Sequence, residues 1–350
     1  MALISSGYFP IDSLDPASTS PKANQTSLLV VDLATGSLIR EIKTNSAPQT
    51  ATQSFGLSQA VVMDNGADYI DDVAIAGDLA GNLWRFDLTA ESPSDWKVDL
   101  MFKSYGSGGA AAVGDQPIAF APAIMATTDR RNPMIVFGTG KFIGQPDRSA
   151  AIPQQSFYGL QDYGTCGGAD GNPTACANYP ITPDQLNFRK IIQASNAVRT
   201  VTTPSLPPQP TNTKGWRIPM DIPSEAGERA NDTPFGFFDA NLVLLRSIIP
   251  KGVDPCDPGA RYGLMVVSAA TGEAPVDPSE SSPSQTVGGV VASETPPGDP
   301  VVSRGGGNVM IPGLRDNAVV NAAVIAAITG ALERADNVWH RGAWREILNQ

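Results

Sequence analysis

The residues in this chain best suited to chemistry are the acids of Asp64–Asp72, DNGADYIDD. Asp64, Asp68 and Asp72 recur every four residues, with Asn65, Gly66 and Asp71 among them. Calcium takes about six to eight oxygen ligands at roughly 2.3–2.6 Å in a flexible shell. A tight loop can direct carboxylates inward from its first, fifth and ninth positions, with the carbonyl of Ile70, the seventh, between them. The pattern is not an EF-hand, which needs Gly at the sixth position and Glu at the twelfth. Gly66 occupies the third position and has no side-chain oxygen, so Asn65 or water would have to substitute. The same residues also read as an ordinary solvated turn.

Other reactive types are sparse. His340 is the only histidine, and its neighbours Trp339 and Arg341 offer no nucleophile, so it reads as a surface residue rather than part of a triad. Phe137–Lys141, FGTGK, lacks the GxxxxGK[ST] spacing of a phosphate loop and reads as a glycine hairpin turn between strands at Met134–Phe137 and Lys141–Ile143. Cys166 and Cys176 share a Gly/Asn/Pro-rich loop, and a disulfide closing it fits an oxidising compartment. Cys256 is then left over, and with no CxxC and no histidine cluster zinc is disfavoured. Trp216, Trp339 and Trp344 read as packing residues rather than ligand platforms.

The elements that must position the acidic loop are short strands. With 34 Gly, 30 Pro and only 17% charged residues, the composition favours many strands joined by turns. An apolar content of 41% excludes global disorder. Strand–turn–strand units recur: Leu28–Leu33 and Leu38–Ile42 around Thr35-Gly36, then Asp72–Ala76 and Asn82–Leu88 around GDLAG. Trp84 and Phe86 alternate with Arg85 and so share one face of their strand. Ser156–Leu160, Leu242–Ile249 and Tyr262–Ser268 follow the same grammar, and Ala269–Gly272 repeats the Ala-Thr-Gly turn of Ala34–Gly36. Radially repeated hairpins of this kind build a β-propeller, with a β-sandwich as the rival architecture. Glu273–Asn308, rich in Pro, Ser and Gly, reads as a mobile loop. Asn317–Asp336 is Ala-rich and reads equally as a helix or as two strands about Gly330.

The net charge of −11, without a Lys/Arg cluster, argues against a nucleic-acid partner and suits either divalent cations or simple solubility. No apolar run approaches the ~20 residues of a spanning helix, so membrane insertion is not expected. The start, MALISSGYFPIDSLDP, has no basic region ahead of an apolar one, so an exported protein would have its leader outside this chain.

Taken in order, these motifs resemble the C-terminal propeller of the PilY family, type IV pilus biogenesis factors and tip-associated adhesins. The resemblance rests on SSGY at Ser5–Tyr8, LLVVDLATGSLI at Leu28–Ile39, AGDLAGNLWRFDL at Ala76–Leu88, QPIAFAPAI at Gln116–Ile124 and IVFGTGKFI at Ile135–Ile143. It continues through SFYGL at Ser156–Leu160, KGWRIPM at Lys214–Met220, GER at Gly227–Arg229, IIPKGVDPC at Ile248–Cys256 and AWREIL at Ala343–Leu348. It implies an all-β, modified propeller over residues 1–350, built of short antiparallel hairpins with long loops, with early blades and an N-terminal region outside the chain. The family's DxDxDxxxD calcium loop ends four residues before GDL, where Asp72 stands, which puts Asp64, Asp68, the Ile70 carbonyl and Asp72 on the ligand positions for Ca2+. Gly66 departs from the family's Asp or Asn. The Ala-rich segment becomes a hairpin about Gly330 over Asn321–Asp336. The function implied is non-enzymatic: an exported protein of the periplasm, outer membrane or pilus tip that contacts minor pilins and regulates pilus extension and retraction. Any host or surface ligand would fall to the missing N-terminal region. Two alternatives are a quinoprotein-like propeller dehydrogenase, which would need Arg, Lys, Asp and Trp residues clamping a cofactor around a central channel, and a calcium-free scaffold.

Overall fold

A computed structural model of the chain describes residues 1–8, 26–44, 55–64, 69–105, 112–126, 132–168, 177–193, 198–205, 209–252, 259–275, 289–292, 296–302 and 309–311. Among these residues there are twenty-one strands, a few 3-10 turns and no α-helix. The first sheet is a meander of β1 (Ala2–Ser5), β2 (Ser27–Val31) and β3 (Leu38–Lys43). The second is β4 (Val61–Met63), β5 (Val73–Gly77), β6 (Asn82–Asp87) and β7 (Lys97–Lys103) in sequence order. The third runs β8 (Ala123–Met125), β9 (Met134–Gly138), β10 (Ser156–Gln161), then β14 (Gly215–Pro219), with β11 (Asn187–Phe188) added parallel at the edge. The fourth centres on β17 (Leu242–Pro250) and β18 (Ala260–Ser268). Beside β17 lie β15 (Arg229–Ala230) and β16 (Phe235–Phe237), and beside β18 follow β19 (Gly289–Ala292), β13 (Val198–Thr202) and β12 (Lys190–Gln193). A last hairpin pairs β20 (Val301–Val302) with β21 (Val309–Met310).

The sheets stack face to face because their central strands are apolar on both sides. Successive side chains of a strand point to opposite faces. On β5, Ala74 and Ala76 join Trp84 and Phe86 of β6 against Leu28, Val30 and Ile42 of the first sheet. Val73 and Ile75 point the other way, with Leu83 and Phe102, onto Ile135, Phe137 and Tyr158 of the third sheet. Val136, Phe157 and Trp216 then carry the stack onto Val243, Leu245, Met265 and Val267 of the fourth. Four mainly antiparallel sheets, each buried against the next, are the blades of a β-propeller, with β12 and β13 crossing into the fourth before the chain returns to the third at β14. Among the described residues the stack is open, with no closed ring of sheets.

Backbone contacts knit the sheets together at one end. Gly7 bridges Leu57, and Leu57 bridges Asp78. The Ile118 N–H donates to the Asp78 carbonyl (2.9 Å), Ile118 bridges Gly140, and the Ala230 N–H donates to the Thr139 carbonyl (3.0 Å). Close approach explains the glycines of the motifs. A Cβ on Gly77 would fall 2.2 Å from Ile118 Cγ2, and one on Gly140, whose φ is +122°, would fall 2.5 Å from Arg229 Cβ. Asp78 is the hub of this end. Its fully buried carboxylate accepts the backbone N–H groups of Ala80 and Asn82 (both 2.9 Å), Asn82 Nδ2 (2.9 Å) and Trp84 Nε1 (2.8 Å). AGDLAGNLW therefore encodes one turn: an acid, and the donors that satisfy it. Burial pushes the Asp78 carboxyl up to about 6, against hydrogen bonds that favour the anion.

The fourth sheet has its own buried polar centre. Arg199 Nη1 and Nη2 meet Glu228 Oε1 and Oε2 at 2.7 and 2.9 Å, and both side chains are fully buried. Ser247 Oγ and Gln193 complete the pair's hydrogen bonds. Gly263 leaves the room, since a Cβ there would meet Arg199 Nη1 at 2.5 Å. A buried pair of this kind tolerates no loss of one partner.

Two expectations change. Lys141–Ile143 is not a strand, because Asp147 Oδ2 accepts the Ile143 and Gly144 N–H groups (2.9 and 3.0 Å) and Oδ1 pairs with Lys141 Nζ (2.7 Å), turning the chain into a 3-10 turn at Gln145–Arg148. The stretch Glu273–Asn308 is not loop throughout, because Gly289–Ala292 forms β19, wedged between β13 and β18. Both faces of β17 are buried, and on one of them Arg246 Nη1 reaches Asp299 at 2.8 Å, within that same stretch. The Ala-rich segment at Asn321–Asp336 lies outside the described residues.

Candidate functional site

The acidic loop is the hairpin connection between β4 and β5. Val61–Met63 pair in register with Val73–Ile75, and the Asp72 N–H donates to the Met63 carbonyl at 3.1 Å, closing the neck. Asp64 and Asp72 therefore leave the two strands at the same neck. Asp64 Oδ2 accepts the Tyr69 N–H at 2.7 Å, folding the loop back on its own first residue. Tyr69 adopts a left-handed φ of +68°, and its side chain is 99% exposed. A bulky residue with positive φ costs about 1–2 kcal/mol and stays there only when its surroundings dictate it. Ile70 is 60% exposed, and Asp71 is exposed beside it.

The structure thus brings Asp64, Ile70 and Asp72 onto one short loop, while Asp68 lies outside the described residues. Among the described residues no three His, Cys, Asp or Glu side chains converge as a metal-holding group. The donors on the loop are all oxygens, which fits a hard cation such as Ca2+ and not zinc.

A second loop is clamped at the same end. Its anchor is Asp162, just past β10, which receives Arg85 Nε from the second sheet (3.1 and 3.2 Å to its two oxygens), the Tyr179 hydroxyl (2.7 Å) and the Gly164 N–H (3.0 Å). Asp99 of β7 accepts the Cys166 and Gly168 N–H groups at 2.7 and 2.9 Å. Thr165 Oγ1 accepts from Arg85 Nη1 (2.7 Å) and donates to Asp87. Partial burial works against the Asp87 anion, but hydrogen bonds from Thr165 and Thr89 and the Arg85 charge hold its carboxyl below the usual range. Cys166 is disulfide-bonded, while Cys176 and Cys256 lie outside the described residues.

The remaining sequence candidates resolve as packing where they are described. Trp216 is fully buried and donates Nε1 to the Ala269 carbonyl at 2.8 Å. Trp84 and Phe86 share one core face and Arg85 the other, as their alternation predicts. His340, Trp339 and Trp344 lie outside the described residues. Two features carry no signal in the sequence. One is the Arg85–Asp162 clamp, whose partners stand 77 residues apart and carry no spacing signal. The other is the exposed Tyr69 on the acidic loop, which the density of acids around it obscures.

The fold and the hairpin define a β-propeller domain with an acidic loop between the first two strands of one blade. The family model described as the PilY1 beta-propeller domain matches residues 2–181, and the chain belongs to that family. The type IV pilus biogenesis factor PilY1 of Pseudomonas aeruginosa strain PAO1 is 29% identical over 273 residues, covering 69% of this chain and 23% of that protein. A PilY1 homologue of Xylella fastidiosa strain Temecula1 is 27% identical over 339 residues, covering 93% of this chain and 24% of that protein. The chain thus spans about a quarter of the length of the curated relatives it matches. The crystal structure of the Pseudomonas aeruginosa PilY1 C-terminal domain superposes with a TM-score of 0.64 at 21% identity, over 89% of this chain and 67% of that one, and shares the fold.

Proposed function

We propose that this chain is the propeller of a type IV pilus biogenesis factor, acting by assembly contacts and not by catalysis. The protein would be exported to the periplasm, outer membrane or pilus tip. There it would contact minor pilins of the tip complex and bias pilus extension against retraction. The observation that carries the reading is the match of the PilY1 beta-propeller model to residues 2–181, which includes the Asp78 turn and the acidic hairpin. No helix among the described residues is long and apolar enough to cross a membrane.

The acidic hairpin is the regulatory element of this proposal. Asp64, Asp68 and Asp72 would supply carboxylates to Ca2+ and Ile70 its carbonyl. The ion would neutralise carboxylates that otherwise repel one another, favouring the closed loop. Calcium would act on pilus dynamics only if it binds two states of the protein unequally. The test is a chromosomal Asp64→Ala/Asp72→Ala replacement, with sheared surface pili counted with calcium and with chelator. The proposal predicts that chelation changes pilus number in the parent and no longer does so in the variant. Deleting the whole domain without any change in piliation would contradict the biogenesis role itself.

A further inference from the structure

The two ends of the sheet stack differ in what they expose. Gly7, Leu57, Asp78, Ile118 and Gly140 meet at the knitted end, which fixes the direction of each blade. The β4–β5 hairpin, the β2–β3 turn at 32–37 and the β16–β17 connection all lie at the other end. That the β4–β5 and β6–β7 connections share this end is direct, since the Leu88 N–H donates to the Asp72 carbonyl at 2.7 Å. This open end carries Tyr69 (99% exposed), Leu33 (74%), Phe238 (65%), Ile70 (60%) and Leu38 (55%). At the knitted end Phe142 and Ile143 are 38% and 41% exposed, and Ile4 and Ile192, within their strands, are 49% and 47% exposed.

Scattered exposed apolar residues need no explanation, but their concentration on the loops of three sheets at one end of a scaffold does. Tyr69 is the most telling. Its aromatic ring stands in solvent while its backbone is held in the left-handed region by Asp64. Strain retained to present a side chain outward is strain spent on a contact outside the molecule. Tyrosine is also among the residues that anchor protein interfaces.

The charge around these side chains selects the partner. Asp32, Asp71 and Asp87, none of them a proposed calcium ligand, stand at this end. The nearby bases are engaged or flanking: Arg40 donates to the Pro93 and Trp96 carbonyls, and Lys97 lies opposite Asp87 in the β6–β7 register. We propose that the open end is a protein-docking surface anchored by Tyr69, with Leu33 as a second contact, for a partner with an apolar pocket rimmed by Lys and Arg. This inference rests on the pilus-assembly reading and locates its contact.

The experiment immobilises the purified soluble domains of minor pilins from the organism that carries this protein. It measures binding of the wild-type chain, of Tyr69→Asn/Leu33→Ser, and of Phe142→Ser/Ile143→Ser from the knitted end. Asn is tolerated in the left-handed region, so the first variant keeps the loop backbone. The inference predicts a loss of about tenfold or more for Tyr69→Asn/Leu33→Ser, less than about twofold for the knitted-end variant, and weaker wild-type binding at about 300 mM than at about 50 mM salt. Wild-type binding that Tyr69→Asn/Leu33→Ser leaves intact overturns the open-end surface while the pilin reading stands. No wild-type binding to any of the pilins overturns both. If the wild-type chain instead self-associates in sedimentation and the open-end variant does not, the occupant is a second copy and the inference is wrong.

Discussion

The knitted end and the open end are built from the same strands, yet they treat an aspartate in opposite ways. At the knitted end Asp78 is fully buried, and every donor it needs lies within six residues of chain. At the open end Asp32 caps a turn in solvent, accepting the Ala34 and Thr35 N–H groups at 2.7 and 3.0 Å. Those two hydrogen bonds hold the Asp32 carboxyl below its usual range, whereas burial pushes Asp78 up to about 6. Similar turn chemistry thus serves rigidity at one end and leaves the turns of the other in solvent. The difference is solvent, not residue type.

The largest effect should come from removing the hub. Asp78→Ala leaves two backbone N–H groups, Asn82 Nδ2 and Trp84 Nε1 without their acceptor, an expected loss of about 3–5 kcal/mol in urea unfolding. A loss below about 1 kcal/mol would mean that the knitted end is not where the stack is held.

The pH dependence sharpens the contrast. The Asp78 carboxyl is raised from 3.8 to about 6 in the folded chain, so native Asp78 retains a proton that the unfolded chain has already released. Its contribution is therefore fully present below pH 4 and lost as pH rises through about 6, on the order of 2–3 kcal/mol. Comparing denaturant midpoints of wild type and Asp78→Asn across that range should isolate the slope, which the variant should lack.

Smaller effects follow at the seams. In Gly77→Ala the new methyl would press on Ile118, with an expected cost of about 1–3 kcal/mol. Tyr69→Gly should go the other way at the open end, gaining up to about 1 kcal/mol in metal-free protein by relieving the left-handed backbone, minus the entropy cost of glycine. A Tyr69→Gly protein destabilised by more than the entropy cost of glycine, about 1 kcal/mol, would contradict a strained backbone at Tyr69.

Much of this organisation was legible in the sequence because blades are local structures. Asn82–Asp87 and Ser156–Gln161 form strands close to where their alternation puts them. The Ala-Thr-Gly repeat is a true geometric repeat: Gly36 and Gly272 share φ values of +70° and +68°, and each donates its N–H to the residue four earlier at 2.8 Å. What the sequence concealed is long-range. Arg85 finds Asp162 and Arg199 finds Glu228 across loops whose lengths carry no pattern. Lys141 has the pattern of a strand start, but its competing acid, Asp147, sits outside any strand period. The acidic loop was legible as a calcium candidate from its spacing, but its exposed tyrosine acquires meaning only once its backbone angle is known.

The central claim, that the open-end hairpin is a calcium site, is tested most directly by calorimetric titration of calcium into the purified chain, with Asp68→Ala and Asp72→Ala alongside. The account predicts one saturable site in the wild-type protein, absent from both variants. A folded wild-type chain that gives no binding heat, or one whose site persists in both variants, would contradict it.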